Sequence, residues 1–575
     1  TIELVDAEAA GSDLCLVGQH DPAVVEGKVV LCRRGGNGRA EKSLAVHEAG
    51  GVGMILYNNT DSDNLFTDTH WVPSVHVDYS DGLEIKQYIA DAYDPQAKIF
   101  QTGKVTSIDY DPSITYFSSR GPNPSAGDLI KPDITAPGLQ ILAAASPFPD
   151  AGAVPGELFQ AIAGTSMSSP HVAGLFALIK QAHPDWTPAM ARSALMTTAA
   201  TDVLDSDRTS PAGPFDTGSG HVQPGLPGTP SSMFDPGIVY DAGLGDYFSF
   251  LCEAAGVCPG GAPPVDVSDL NYPSIAVAEL AGSQTVTRTI TSVASAPLTW
   301  NASVTAPAGY DVAVAPSSIT LAPGESASFT VTISNNGGAV LGEWAYGSLV
   351  WSSGAYTAHS PIAVQGAALA APAQIGGAGA DGTASFPVTF GYTGTYTAAP
   401  HGLVANEPTT GQVSQDPDQT VGSDDDGDGT VAIPVELSGV AHARWSVVLD
   451  DDATDLDLYL LDPAGNLVAQ STAGGTDELI DLTLPADGTY TMLVHGWAVP
   501  VAPVEFTLDQ WLVPVASGGS LAVDSAPTEA VISASGEVTV SWTGAPEGVS
   551  LGAVSHTGPD GILGLTLVSV DNSAA

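Results

Sequence analysis

Beyond about residue 263 the chain loses helical periodicity and alternates strictly, with Ala327, Phe329, Val331 and Ile333 set between Ser326, Ser328, Thr330 and Thr332. Successive side chains of an extended strand point to opposite faces, so such a stretch folds as a sheet with one buried and one wet face. Leu456, Leu458 and Leu460 repeat the pattern against Asp455, Asp457 and Tyr459, as do Tyr490, Met492 and Val494. We expect a β-sandwich over 263–366, a Gly/Ala-rich linker over 367–383, a second sandwich over 384–515 and a β-rich tail over 516–575. On this reading Asp450, Asp451, Asp452, Asp455 and Asp457 lie on an exposed strand face. No sequence repeat recurs at a fixed period.

The earlier part has a different texture. Residues 1–105 alternate short β-like runs with a helix: Gly27-Lys28-Val29-Val30-Leu31-Cys32 as a strand, Arg39 to Ala49 as a helix, Gly53-Met54-Ile55-Leu56-Tyr57 as the next strand. That order defines a small α/β unit. Over 106–262, loops rich in Pro and Gly surround two helices. One follows Ser169-Pro170 with Val172, Leu175, Phe176, Ile179 and Ala182 as its apolar stripe, and the other opens at Thr187-Pro188, an N-cap followed by Pro at the first helical position. Both read as buried core helices.

At 575 residues the chain has room for about four domains. Charged residues are only 14%, yet the net charge is −49, because Lys and Arg together number 15 against 64 carboxylates. A surface this negative repels phosphate backbones and anionic lipid, which argues against nucleic-acid partners. The charge suits salty or extracellular media, or reflects an acidic proteome. With a mean hydropathy of +0.14 the chain is globular, and no apolar run of about 18 residues predicts membrane insertion. It starts at Thr1 with no signal-peptide pattern, so the N-terminus reads as cut.

The four cysteines form two local pairs, Cys15 with Cys32 and Cys252 with Cys258, without zinc-ligand spacing. Two disulfides are the preferred reading and imply an oxidising compartment; four buried thiols are the alternative.

The sharpest chemical signal is Gly164-Thr165-Ser166-Met167-Ser168-Ser169-Pro170-His171-Val172-Ala173-Gly174. A serine at a helix start has its N–H and the positive end of the dipole aimed where an oxyanion would form. This string resembles the nucleophile motif of the subtilisin-like serine proteases, a family that acts through a Ser-His-Asp triad. Tyr116-Phe117-Ser118-Ser119-Arg120-Gly121-Pro122 and Lys131-Pro132-Asp133-Ile134-Thr135-Ala136-Pro137-Gly138 stand upstream in the family's order. Phe215 to Val222, Asp235 to Asp241, Asp269 to Ser274 and Ser360 to Val364 are similar to its large plant-type branch, so the resemblance covers about residues 1–365.

Three more resemblances accompany it. Ala49-Gly50-Gly51-Val52-Gly53-Met54-Ile55-Leu56 is similar to the protease-associated (PA) domain inserted in large subtilases, which carries no catalytic group. The 263–366 sandwich is expected to be fibronectin-III-like. Asp455 to Pro463 with Asp487-Gly488-Thr489-Tyr490 resembles the pre-peptidase C-terminal domain of secreted bacterial proteases. The fold class that follows is a small α/β PA domain, a partial α/β subtilisin-like catalytic domain with the last strands of a doubly wound parallel sheet, then β-sandwiches.

A serine hydroxyl is a weak nucleophile until a His takes its proton and an Asp orients that His. Neither the D-S/T-G-I/V strand end nor the H-G-T-H-V-A-G helix that supplies them in this family occurs ahead of Ser166, and the oxyanion Asn is also missing. His20, His47, His70 and His76 lack that context, and His171 reads as a structural helix residue. Asp216-Thr217-Gly218 imitates a triad motif but follows the serine, and no second copy makes an aspartic-protease pair.

Asp424, Asp426 and Asp428 fit the opening of a calcium loop, but its twelfth position is Val435, so Ca2+ is weighed against a solvated acidic linker. No other cofactor is expected. Asn58-Asn59-Thr60 and Asn301-Ala302-Ser303 read as chance glycosylation sequons. The expectation is therefore a secreted, extracellular serine endopeptidase acting on protein or peptide substrates through an acyl-enzyme on Ser166. Here it would be a fragment needing the N-terminal half of its catalytic domain as partner and inactive alone. The alternative is a non-catalytic secreted binding or adhesion protein with a degenerate protease shell.

Overall fold

The computed structural model describes residues 1–573 except 62–63, 101–111, 149–153, 418, 422–428, 450–452 and 476. It divides into two compact units: residues 1–278, 285–333 and 344–365, and residues 279–284, 334–343 and 366–575.

The first unit opens with a five-stranded sheet, ordered Ser74–Val77, Gly53–Tyr57, Val29–Arg33, Ile2–Asp6, Gln96–Ala97. All neighbours are parallel except the last pair. Helix α1, Arg39–Glu48, makes the crossover between Val29–Arg33 and Gly53–Tyr57, and α2, Tyr79–Asp91, follows Ser74–Val77. Val30, Cys32, Val46, Met54 and Leu56 fill the core on one side of this sheet, and the Cys15–Cys32 disulfide ties the N-terminal loop to it. Lys42 is fully buried, its ammonium donating to the carbonyls of Leu14 and Gly35 and to Asn37 Oδ1.

Residues 112–262 are arranged otherwise than expected. Among the described residues no parallel sheet forms there. Parallel pairing is limited to isolated bridges, Ser113 with Leu204 and Thr135 with His221, beside isolated antiparallel bridges such as Ala200 with His221 and an antiparallel hairpin, Ile141–Ala144 with Phe159–Ile162. A parallel sheet needs neighbours for every central strand, and this segment supplies too few. Helix α3, Thr165–Ala182, buries only Ile179; Val172, Leu175 and Phe176 are half-buried and Ala182 is exposed. Helix α4, Pro188–Thr197, is the buried helix, with Thr187 Oγ1 accepting the Met190 N–H as its cap. Helix α5, Leu244–Ala255, ends beside the second disulfide, Cys252–Cys258. Both cysteine pairs are thus disulfides, and no described cysteine is free.

The alternating stretch at 326–333 forms the central part of strand Ser326–Asn335, with Phe329, Val331 and Ile333 buried. It belongs to a two-sheet sandwich whose core holds Trp300 and Trp351. One sheet also recruits Ile238–Val239. Arg288 of this sandwich is fully buried and donates to the carbonyls of Ser268, Tyr272, Ser274 and Thr287, fastening the 268–274 segment to the sheet. Burial pushes its guanidinium down to about 10.

In the second unit, the stretch 367–383 is not a linker. Leu369–Ala370 pairs with Gly382–Phe390, Gln374–Ala378 runs parallel to Gly561–Asp571, and Gly382–Phe390 pairs with Ser535–Trp542. The expected tail therefore completes a sandwich with 366–405. The glycines are short because a Cβ on Gly377 or Gly382 would lie 2.4 or 2.3 Å from the Trp542 ring. A further sandwich, with Trp445, Leu456, Leu458, Leu460, Met492 and Val494 in its core, is inserted between Thr397–Ala405 and Leu521–Ser525. Asp457 is buried there rather than exposed, and Asp455 is half-buried. Asp457 Oδ2 lies 3.3 Å from Nδ1 of the fully buried His495, whose Nε2 is 2.8 Å from Asp416 Oδ2. Asp450, Asp451 and Asp452 lie outside the described residues.

Candidate active site

Ser166 occupies the first turn of α3 and is exposed. Its N-cap, Gly164, has no side chain to cap the first turn; the Met167 N–H turns back to Gly164 O at 3.0 Å, and Ser166 stands at the positive end of the helix dipole. Pro170 lacks an N–H, so the Ser166 carbonyl has no i+4 donor. The loop before the hairpin packs against this turn. Gly138 O accepts the Gly164 N–H at 2.9 Å, and a Cβ on Gly138 would lie 2.3 Å from Ser168 Oγ. The Lys131–Gly138 and Gly164–Gly174 strings, 26 residues apart at their nearest ends by sequence, thus meet at one backbone contact.

Among the described residues the Ser166 hydroxyl has no hydrogen-bond partner, and no histidine approaches it as base. His171 shares the helix, but its Nδ1 lies 2.7 Å from Met167 O and so carries the proton given to that carbonyl. His20, His47, His70 and His76 sit in the α/β unit. His47 stacks on Trp71, His70 meets Ser43 Oγ, and His76 is held between Asn58 and Phe66. Asp216 is equally committed elsewhere: it receives Arg120 at 2.7 Å and the Gly213 N–H at 2.7 Å.

Two strings singled out in the sequence meet helix α4 in a separate polar cluster. Lys131 and the Tyr272 hydroxyl both donate to Asp133 Oδ1, at 2.7 and 2.6 Å, while the Arg192 guanidinium lies 4.1 Å over the Tyr272 ring. Burial, reinforced by the Asp133 carboxylate, raises the Tyr272 phenol far above its usual range, so it remains a donor. This cluster is structural. It escaped sequence reasoning because residues 133 and 272 share no local pattern.

Asp424, Asp426 and Asp428 lie outside the described residues. Among the described residues no group of three or more His, Cys, Asp or Glu is placed to hold a metal ion. Asn58 of the first sequon is fully buried and bonded to Arg34 and His76, which leaves no access for a glycan.

With this geometry in place, comparison with known families is direct. Residues 86–222 match the Subtilase family model, residues 1–85 the PA domain, residues 269–364 a fibronectin type-III domain, and residues 435–496 the bacterial pre-peptidase C-terminal domain. The chain therefore carries a subtilase segment within a mostly β, multidomain architecture.

Its relatives are more particular. It is 37% identical over 383 residues to the subtilisin-like protease SBT5.3 of Arabidopsis thaliana, covering 63% of this chain and 49% of that protein. To SBT1.7 of the same plant it is 38% identical over 384 residues, covering 62% and 50%. The chain spans about half the length of the curated relatives it matches.

Proposed function

We propose that this chain is part of a secreted serine endopeptidase of the subtilase type, with Ser166 as nucleophile and the triad Asp and His, and the oxyanion Asn, supplied by sequence outside it. Ser166 Oγ would attack a peptide carbonyl while its proton passes to that His. The tetrahedral oxyanion would receive the Ser166 N–H, and collapse would expel the amine protonated by the same imidazole.

The observation that carries this reading is the pairing of an exposed Ser166 hydroxyl, without a partner among the described residues, with a helix whose apolar stripe is only half covered. In a self-sufficient core, Val172, Leu175 and Phe176 would be buried. The two disulfides support an oxidising, extracellular setting, and among the described residues no helix is long and apolar enough to cross a membrane.

A fluorophosphonate probe tests it. The chain alone should show no burst of labelling, because Ser166 lacks its base. Co-expression with an N-terminal catalytic half bearing the D-S/T-G and H-G-T-H motifs should restore labelling, and Ser166→Ala should abolish it. A complex that assembles yet leaves Ser166 unlabelled would sink the protease reading and favour the adhesion alternative. Stoichiometric labelling of the chain alone would show that a local group serves as base.

A further inference from the structure

A cleft of about 340 Å³ lies between the PA unit and the hairpin that leads into the nucleophile turn, with Asp68 and Thr69 on one wall and Phe148, Glu157, Phe159 and Ile162 on the other. Ile162 is four residues before Ser166, and an extended chain advances at most about 3.6 Å per residue. The cleft therefore lies within reach of a substrate side chain a few residues from the bond attacked.

The PA wall is held rigidly. Gln140, the residue before the hairpin, accepts the Thr67 N–H at 2.8 Å and donates to Leu65 O at 2.9 Å. It does so from φ +58°, a backbone conformation that non-glycine residues rarely hold and that surrounding contacts must stabilise. Arg39 grips both oxygens of Asp68, at 2.7 and 3.0 Å, and its guanidinium covers Phe66 at 4.3 Å. Asp68 is thus neutralised in place.

The hairpin wall is different. Phe148 is 88% exposed and Phe159 62%, a rare display for large apolar rings. Between them stands Glu157, whose carboxylate has no hydrogen bond or ion pair among the described residues. An apolar surface beside one unpaired carboxylate is complementary to a long side chain with an aliphatic stem and a cationic head.

Resting on the protease reading above, we propose that this cleft is a specificity subsite to which the PA unit contributes, and that it accepts a Lys or Arg side chain of the polypeptide substrate. The stem lies against Phe159 and the cationic head pairs with Glu157. Glu157 is exposed, so loss of that pair is expected to cost about two- to fivefold in affinity.

Binding by the intact chain tests this without requiring catalysis. Fluorescence anisotropy would compare three labelled alanine-based hexapeptides that carry one arginine, one norleucine or one glutamate. The arginine peptide should bind best. Glu157→Gln should bring it down to the norleucine level, Phe159→Ser should weaken both, and Glu157→Lys should shift preference to the glutamate peptide. A control reversal on the second unit, Glu537→Lys, should change nothing, which separates the cleft from attraction to the overall negative charge. Equal binding of the three peptides, or an arginine preference that survives Glu157→Lys, would overturn the proposal. Failed labelling with intact arginine preference would sink only the protease reading. Labelling of the assembled enzyme without arginine preference would sink only the cleft.

Discussion

Arg120 Nη1 lies 2.7 Å from Asp216 Oδ1, and its Nη2 reaches Asp205, so the aspartate of the Asp-Thr-Gly string closes a structural network rather than orienting a catalytic base. The other Asp216 oxygen accepts the Gly213 N–H at the start of a short helical turn. Loss of the carboxylate should therefore cost stability, by about 1–3 kcal/mol, with little effect on chemistry. In the assembled enzyme, Asp216→Ala should leave the fluorophosphonate labelling rate per folded molecule within about twofold, whereas loss of a triad Asp lowers catalysis by about 10⁴. A fall of that size would reassign Asp216 to the triad.

His76 makes the PA unit acid-sensitive. Its Nδ1 accepts the Phe66 N–H at 3.0 Å and its Nε2–H donates to Asn58 Oδ1 at 2.8 Å, so the neutral ring is satisfied on both sides. Burial, with Arg34 and Arg39 nearby, lowers its pKa from 6.5 to about 4. The unfolded chain then binds more protons than the folded one between those values. Stability from this group is present above pH 6.5 and is lost as pH falls through 4. Hydrogen exchange of strand Gly53–Tyr57 should quicken progressively across that window, and His76→Gln should flatten the response. An unchanged profile in the variant would show that another group drives it.

His495 bridges two carboxylates in the inserted sandwich, with His495 fully buried and Asp416 and Asp457 only 3% and 4% exposed. Removal of the imidazole leaves two buried charges without that partner, so His495→Ala should destabilise this sandwich by about 3–5 kcal/mol. Adding Asp416→Asn and Asp457→Asn should recover part of the loss. Urea unfolding followed by hydrogen exchange in strand Gly488–Ala498 measures both effects, and a loss below about 1 kcal/mol would show that the cluster carries little of the sandwich's stability.

Local pattern was enough for some of this protein. Alternation at 326–333 predicts which side chains enter the core, because the period of two is a property of any extended strand. Thr187-Pro188 marks the start of α4 to the residue, because a cap and a fixed φ act within one turn. Cysteine proximity in sequence identifies both disulfides. The Gly164–Gly174 string locates the exposed serine at the start of α3, because the cap and first turn are contiguous along the chain.

Partners distant in sequence were decided by tertiary structure. Gly377 and Gly382 look like a flexible linker until Trp542 packs on them, since a missing side chain signals freedom and close approach alike. Asp457 sits in an alternating run whose polar positions should face water, yet His495 and the Tyr459 hydroxyl offer its carboxylate polar partners inside the fold. The apolar stripe of α3 is legible, but its exposure depends on which elements surround it. Asp216 meets Arg120 across 96 residues, and Gln140 meets Leu65 across 75. Periodicity records only how a residue relates to its neighbours along the chain, whereas burial and pairing are set by what the folded chain brings against it.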